Sequence, residues 1–270
     1  MKNLKEIILR YPLISSILIV AVSISITSIS LPVIIAQNFN QQMVDYLSGI
    51  IEQVTVTILL IILLKKLGLY EKAGFSFKIR KIWLAWPIIL FVILNASDLL
   101  TGNIKIDIAK PWMILAFVIV YLSTGLFEEV LCRGLVFSVL INKWGKTRSG
   151  CYLAMILCSV LFGMLHFIHY FLGNASMLAT ITQVIYATFI GAFFSACVVR
   201  NHSIYPAIML HGIVDIAGSL GEISVGGGIN KGYMTMSFEG AVILIIIALP
   251  LFLYGLFLVR KEFQNGMNEL

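Results

Sequence analysis

Charge is what this sequence has least of: Asp, Glu, Lys and Arg make up 12% of its 270 residues, about half of what a soluble domain carries. Hydrophobic residues make up 60%, and no polar block is long enough to fold by itself. A water-facing globule is therefore excluded, and residues 1–270 read as a single integral membrane domain in a lipid bilayer. Cysteine is also scarce. Cys132, Cys151, Cys158 and Cys197 fall within or at the ends of apolar runs and show no CxxC spacing. That excludes a disulfide framework and a thiolate metal site, and leaves four reduced packing residues. A formal charge of +6 could suggest nucleic acid as a partner. The cations, however, sit in short connectors between apolar runs, where the positive-inside rule accounts for them and no nucleic acid is needed.

Long apolar runs are what the sequence does have. A helix needs about 20 mainly apolar residues to cross the hydrocarbon core, because every backbone amide must find its partner within the helix. Eight stretches meet that condition, near 12–36, 48–64, 83–99, 111–141, 150–173, 176–199, 203–221 and 240–259. The fold expected is an all-α polytopic bundle of about eight transmembrane helices. The first run is longer than the 7 to 15 residues of a signal-peptide core, so it reads as an anchor. Fifteen of the nineteen Lys and Arg residues fall in one alternating set of connectors, six of them between Lys65 and Lys81. Lys105, Lys110 and Lys231 fall in the other set, and Arg133 lies inside an apolar run. Both termini are expected on the cytoplasmic side, in what the bare single-domain layout suggests is a bacterial cell membrane. Gly226, Gly227 and Gly228 read as a turn in the last external loop, and Ala187, Gly191 and Ser195 as a small-residue helix face for close packing.

The chemistry lies in polar residues placed where they are costly. A charge at mid-bilayer costs about 2.5–3.5 kcal/mol on insertion scales, so it marks a pair or a function. The fourth run contains Glu128, Glu129 and Arg133. Glu129 and Arg133 are four apart on one helix face and able to pair, whereas Glu128 points about a quarter turn away. The fifth run places Phe162 and His166 on one face, with His169 a turn further, and the seventh places His211 four residues before Asp215. His211 and Asp215 are able to act on one atom together, as metal ligands or as a hydrogen-bonding pair.

The ordered set EExxxR, FxxxH and HxxxD, from Phe127 to Asp215, resembles the CPBP family of CAAX prenyl endopeptidases and bacterial Abi-type bacteriocin-processing or immunity proteins. The resemblance implies an eight-helix membrane bundle with its motifs facing a cavity, and an intramembrane endopeptidase acting on a membrane-associated peptide or protein. It places the motif-bearing catalytic core at 111–221. Glu128 would take a proton from water, His166 would hold that water, and His211 with Asp215 would stabilise the oxyanion. Glu129, Arg133 and Phe162 would be structural or supporting. In prenyl endopeptidases the last position is commonly Asn, and an ionised Asp215 cannot donate to an oxyanion. Glu128, His166, His211 and Asp215 are also the ligand types of a divalent metal such as Zn²⁺, so the cofactor is either none or that metal.

No HExxH, GxGD or GxSG string occurs, which sets aside the usual marks of zinc, aspartyl and rhomboid-serine intramembrane proteases. Two rival readings remain. One is a non-catalytic immunity or regulatory scaffold that binds a peptide or protein. The other is an ion-coupled transporter, which would also place ionisable residues in helices. The transporter lacks the internal symmetry such folds show, because the polar residues crowd into one half of the chain.

Overall fold

The computed structural model describes residues 2–27, 40–77, 81–227 and 235–264. The end of the first apolar run, with Lys78, Arg80, Gly228 and Lys231, lies outside them. Among the described residues the chain is helical, in order α1 (Lys2–Arg10), α2 (Pro12–Thr27), α3 (Gln41–Leu67), α4 (Pro87–Asn95), α5 (Ser97–Leu100), α6 (Pro111–Glu129), α7 (Phe137–Trp144), α8 (Arg148–Leu165), α9 (Phe167–Phe171), α10 (Met177–Asn201), α11 (Tyr205–Gly218) and α12 (Phe238–Gln264). The only β pairing among them is an isolated bridge between Ile106 and Ser224.

Local chemistry sets the helix ends. Asn40, Thr147 and Ser176 accept from the backbone N–H three residues on and start α3, α8 and α10, each satisfying a donor the helix leaves unpaired. Pro87 and Pro111 open α4 and α6 at positions where a missing N–H costs nothing. Gly68, at φ 72°, closes α3 in the left-handed region that a glycine adopts without strain.

Five helical stretches are long and apolar enough to cross a membrane: Gln41–Leu67, Pro111–Trp144, Arg148–Phe171, Met177–Asn201 and Phe238–Lys261. A sixth is added if Leu4–Arg10 and Pro12–Thr27, bent by 113°, count as one span. The all-α polytopic bundle stands, but helix length does not reproduce a count of eight. The run at 83–99 is split. A 3₁₀ turn at Ile82–Ala85 precedes Pro87, and the helix stops where Asn95 Nδ2 donates to Phe91 O at 2.8 Å, competing with the backbone ladder. The run at 203–221 forms the 14-residue α11, about 21 Å long and short of the roughly 30 Å core.

Contacts between connectors divide the bundle into two ends. At one, Ile204 N donates to Gly74 O (2.9 Å), Ser203 Oγ to Ser76 O (2.8 Å) and Lys72 Nζ to Asn142 Oδ1 (3.4 Å). The connectors after α3 and α10 meet there with the end of α7. At the other end Glu222 accepts from Tyr46 and Tyr121 hydroxyls, each at 2.8 Å, and Val225 N donates to Lys105 O at 2.8 Å.

The core lies where α6, α8, α10, α11 and α12 meet. Glycines let the backbones approach there. A Cβ on Gly125 would stand 2.6 Å from Gly212 N and 2.9 Å from Ile208 O, so α6 and α11 touch backbone to backbone at this level. The four cysteines are buried free thiols among the packed side chains.

Candidate active site

One turn beyond the Gly125–Gly212 contact, α6 brings Glu128 and Glu129 against His211 of α11. The helix then widens into a π segment, Val130–Val136, wholly buried and containing Arg133. Such segments are rare and concentrate at functional sites. Arg133 Nη1 donates to Glu129 Oε1 at 2.7 Å, with both side chains fully buried. The guanidinium also lies over the rings of Phe162 (4.5 Å) and Phe194 (5.8 Å), a cation–π arrangement strengthened by the absence of water. Gly191 of α10 makes room for it, since a Cβ there would come within 2.9 Å of Arg133 Nη2.

His211 is the hub. Its Nδ1 is 2.7 Å from Glu129 Oε1, the same oxygen that Arg133 holds. A carboxylate oxygen only accepts, so Nδ1 carries a proton and Glu129 fixes both the tautomer and the ring plane. Nε2 then faces Glu128 Oε2 at 3.3 Å and Asp215 Oδ2 at 3.7 Å. A bare lone pair facing two carboxylate oxygens would be repulsive, so at least one proton is shared among Nε2, Glu128 and Asp215. Phe194 stacks on the His211 ring at 5.6 Å, and Phe162 meets its edge at 5.6 Å.

His166, at the end of α8, stands apart from this bonded network. Phe162 makes an edge contact with it at 5.6 Å, and His169 stacks on it at 6.1 Å. What joins His166 to the network is a cavity of about 220 Å³ lined by Phe127, Glu128, Leu165, His166, Ile168 and His169, and by Ile24, Thr27, Glu52 and Gln53 of α2 and α3. Glu128 thus belongs to both: it borders the cavity beside His166 and contacts His211 from behind. His211 and Asp215 do not line this cavity.

Of the expected residues, Glu128, Glu129, Arg133, His211 and Asp215 form one network, and Phe162 joins it to His166. Sequence reasoning passed over Phe194, Gly125, Gly212 and the cavity position of Glu52. Only the glycines left a signal, as small residues beside charged ones in apolar runs.

As arranged, these side chains do not form a metal ligand set. Both His211 nitrogens are engaged by carboxylates, and among the described residues no group of three or more His, Cys, Asp or Glu is placed to hold an ion.

An all-α membrane bundle with Glu, Arg, His and Asp gathered beside a cavity is the class that fold and site define. Within it, residues 110–217 match the family described as Rce1-like, type II CAAX prenyl endopeptidase Rce1-like. The match is consistent with the CPBP family, and the Rce1-like family is a family of proteases. The match spans less than half of the chain and contains every residue of the EExxxR, FxxxH and HxxxD set. No curated protein and no solved structure matches the chain.

Proposed function

We propose that this protein is an intramembrane endopeptidase that hydrolyses a membrane-associated peptide or protein with water activated by Glu128. The observation that carries the reading is Glu128's double position, on the cavity with His166 and against Nε2 of His211. Water held between Glu128 and His166 gives its proton to Glu128 as its oxygen attacks the peptide carbonyl. A C–O bond forms, the C–N bond breaks, and the proton passes to the leaving amine. Support of the oxyanion by His211 and Asp215, which do not line the cavity, requires the peptide carbonyl to enter past Glu128 towards Nε2 of His211. Glu129 and Arg133 keep that ring in place. The direct test is reconstitution in liposomes and detection of new peptide termini.

Asp215→Asn tests the role of the last motif position. An amide donates through Nδ2, so support of the oxyanion predicts that turnover stays within a few-fold of wild type or rises. A loss of 100-fold or more with the fold intact would mean that the negative charge of Asp215 is itself required, for example to keep the proton on His211.

We further infer that the end gathering the Lys65–Lys81, Lys143–Arg148 and Arg200 connectors faces the cytoplasm, as do both termini. A single reactive cysteine introduced as Lys72→Cys should resist a membrane-impermeant maleimide in intact cells and react after permeabilisation. Labelling in intact cells would reverse the topology.

A further inference from the structure

The amino-terminal helix takes no part in the chemistry above and lies at an angle to the bundle. α1 is turned by 113° from α2, so with α2 running into the bilayer α1 lies nearly flat along its surface. Its side chains sort by face. At about 100° per residue Leu4, Ile7 and Ile8 fall on one narrow stripe, Tyr11 continues it, and Glu6 falls opposite. Tyr11 keeps the helical register, because its N–H donates to Ile7 O at 3.0 Å. Ile8 is 6% exposed and joins the apolar core that contains Leu140 of α7. Leu4, Ile7 and Tyr11 are 56%, 53% and 49% exposed, so the folded chain leaves most of the stripe bare. A helix with a bare apolar stripe, lying flat where a span begins, is placed at the headgroup boundary. Tyr11, at the bend, sits where aromatic residues collect in membrane proteins.

The surroundings are cationic. Lys5 and Arg10, both exposed, flank the stripe on its two sides. α1 reaches the end of α3, since a Cβ on Gly68 would lie 3.4 Å from Lys5 Nζ, and the last turn of α3 carries Lys65 and Lys66. It also packs on α7, which ends beside Lys143 and Lys146. Segments 2–10, 65–77 and 143–148 hold nine Lys and Arg residues and two carboxylates, Glu6 and Glu71. That balance selects a negatively charged surface. We propose that α1 is an interfacial helix that docks on anionic phospholipid, with Leu4, Ile7 and Tyr11 set between the headgroups and Lys5 and Arg10 drawn to their negative charge. Each cation that reaches such a surface favours docking by about fivefold, a preference that salt screens.

The test attaches a fluorophore to Leu4→Cys or to Glu6→Cys in the full chain, whose four native thiols are buried. Each protein is reconstituted in liposomes of phosphatidylcholine alone or mixed with phosphatidylglycerol, both containing phospholipid spin-labelled near the headgroup. The label at position 4 should be quenched more strongly in the phosphatidylglycerol liposomes, and the label at position 6 only weakly in either. High salt should remove most of the difference. Inorganic phosphate added to the phosphatidylcholine liposomes should not reproduce it, which separates a lipid surface from a free anion. Adding Lys5→Gln and Arg10→Gln to the Leu4→Cys chain should lower the docked-to-undocked ratio on phosphatidylglycerol by about tenfold or more. Equal quenching at positions 4 and 6, equal quenching of position 4 in the two liposomes, or an effect matched by inorganic phosphate would overturn the inference. The lipid comparison needs no charge variant, so a poorly folding one does not remove the test. It needs no turnover either, so its failure and that of the endopeptidase reading are distinct.

Discussion

Arg133→Ala is expected to deplete the folded protein before it reveals anything about turnover. The substitution leaves Glu129 as a fully buried carboxylate whose remaining partner is His211, and it empties the space between Phe162 and Phe194. Breaking one side of a buried pair costs about 3–5 kcal/mol, a large share of the roughly 5–15 kcal/mol that holds a typical protein folded. Abundance in the membrane and the unfolding midpoint in detergent should both fall. The double variant Glu129→Leu with Arg133→Met removes both charges while keeping bulk, and should recover much of the abundance, because an apolar replacement of a buried pair is often neutral. It should not recover turnover, since His211 Nδ1 has then lost the acceptor that fixes its ring. Full abundance of Arg133→Ala with turnover abolished would instead mean that the guanidinium touches the reacting atoms.

Glu128→Gln is expected to do the opposite, leaving the fold intact while removing the base. The amide has nearly the same shape, and Glu128 is partly exposed, at 20% of its side chain, so the substitution strands no buried charge. Loss of a general base typically costs 10²- to 10⁴-fold in rate. A fall of that size or larger, with an unchanged unfolding midpoint, is the expected pair of readings.

Helix geometry made the pairing of Glu129 with Arg133 and the shared face of His211 and Asp215 legible from sequence, because a spacing of four fixes neighbours on a helix. The π segment at Val130–Val136 did not disturb this pairing. How the helices meet was not legible. His211 reaches both glutamates because Gly125 and Gly212 let α6 and α11 touch, a tertiary fact that no single-helix pattern contains. Phe194 beneath His211 looked like any other aromatic residue in an apolar run. Hydropathy started the second span near residue 48 and so put Glu52 close to its end. The polar turns from Gln41 are helical too, which carries Glu52 inward to the cavity wall. The runs at 83–99 and 203–221 do not count as spans by helix length alone, because hydropathy counts apolar residues but does not register the Pro87 and Asn95 break or the short length of α11.

Purified wild-type protein and Glu128→Gln, reconstituted at equal amounts in liposomes with a membrane-inserting peptide in water enriched in ¹⁸O, test the central claim most directly. The account predicts that wild type yields a new peptide carboxyl terminus carrying one ¹⁸O from solvent, and that Glu128→Gln, equally folded, yields at most about one hundredth as much. Equal product from the two proteins would contradict it.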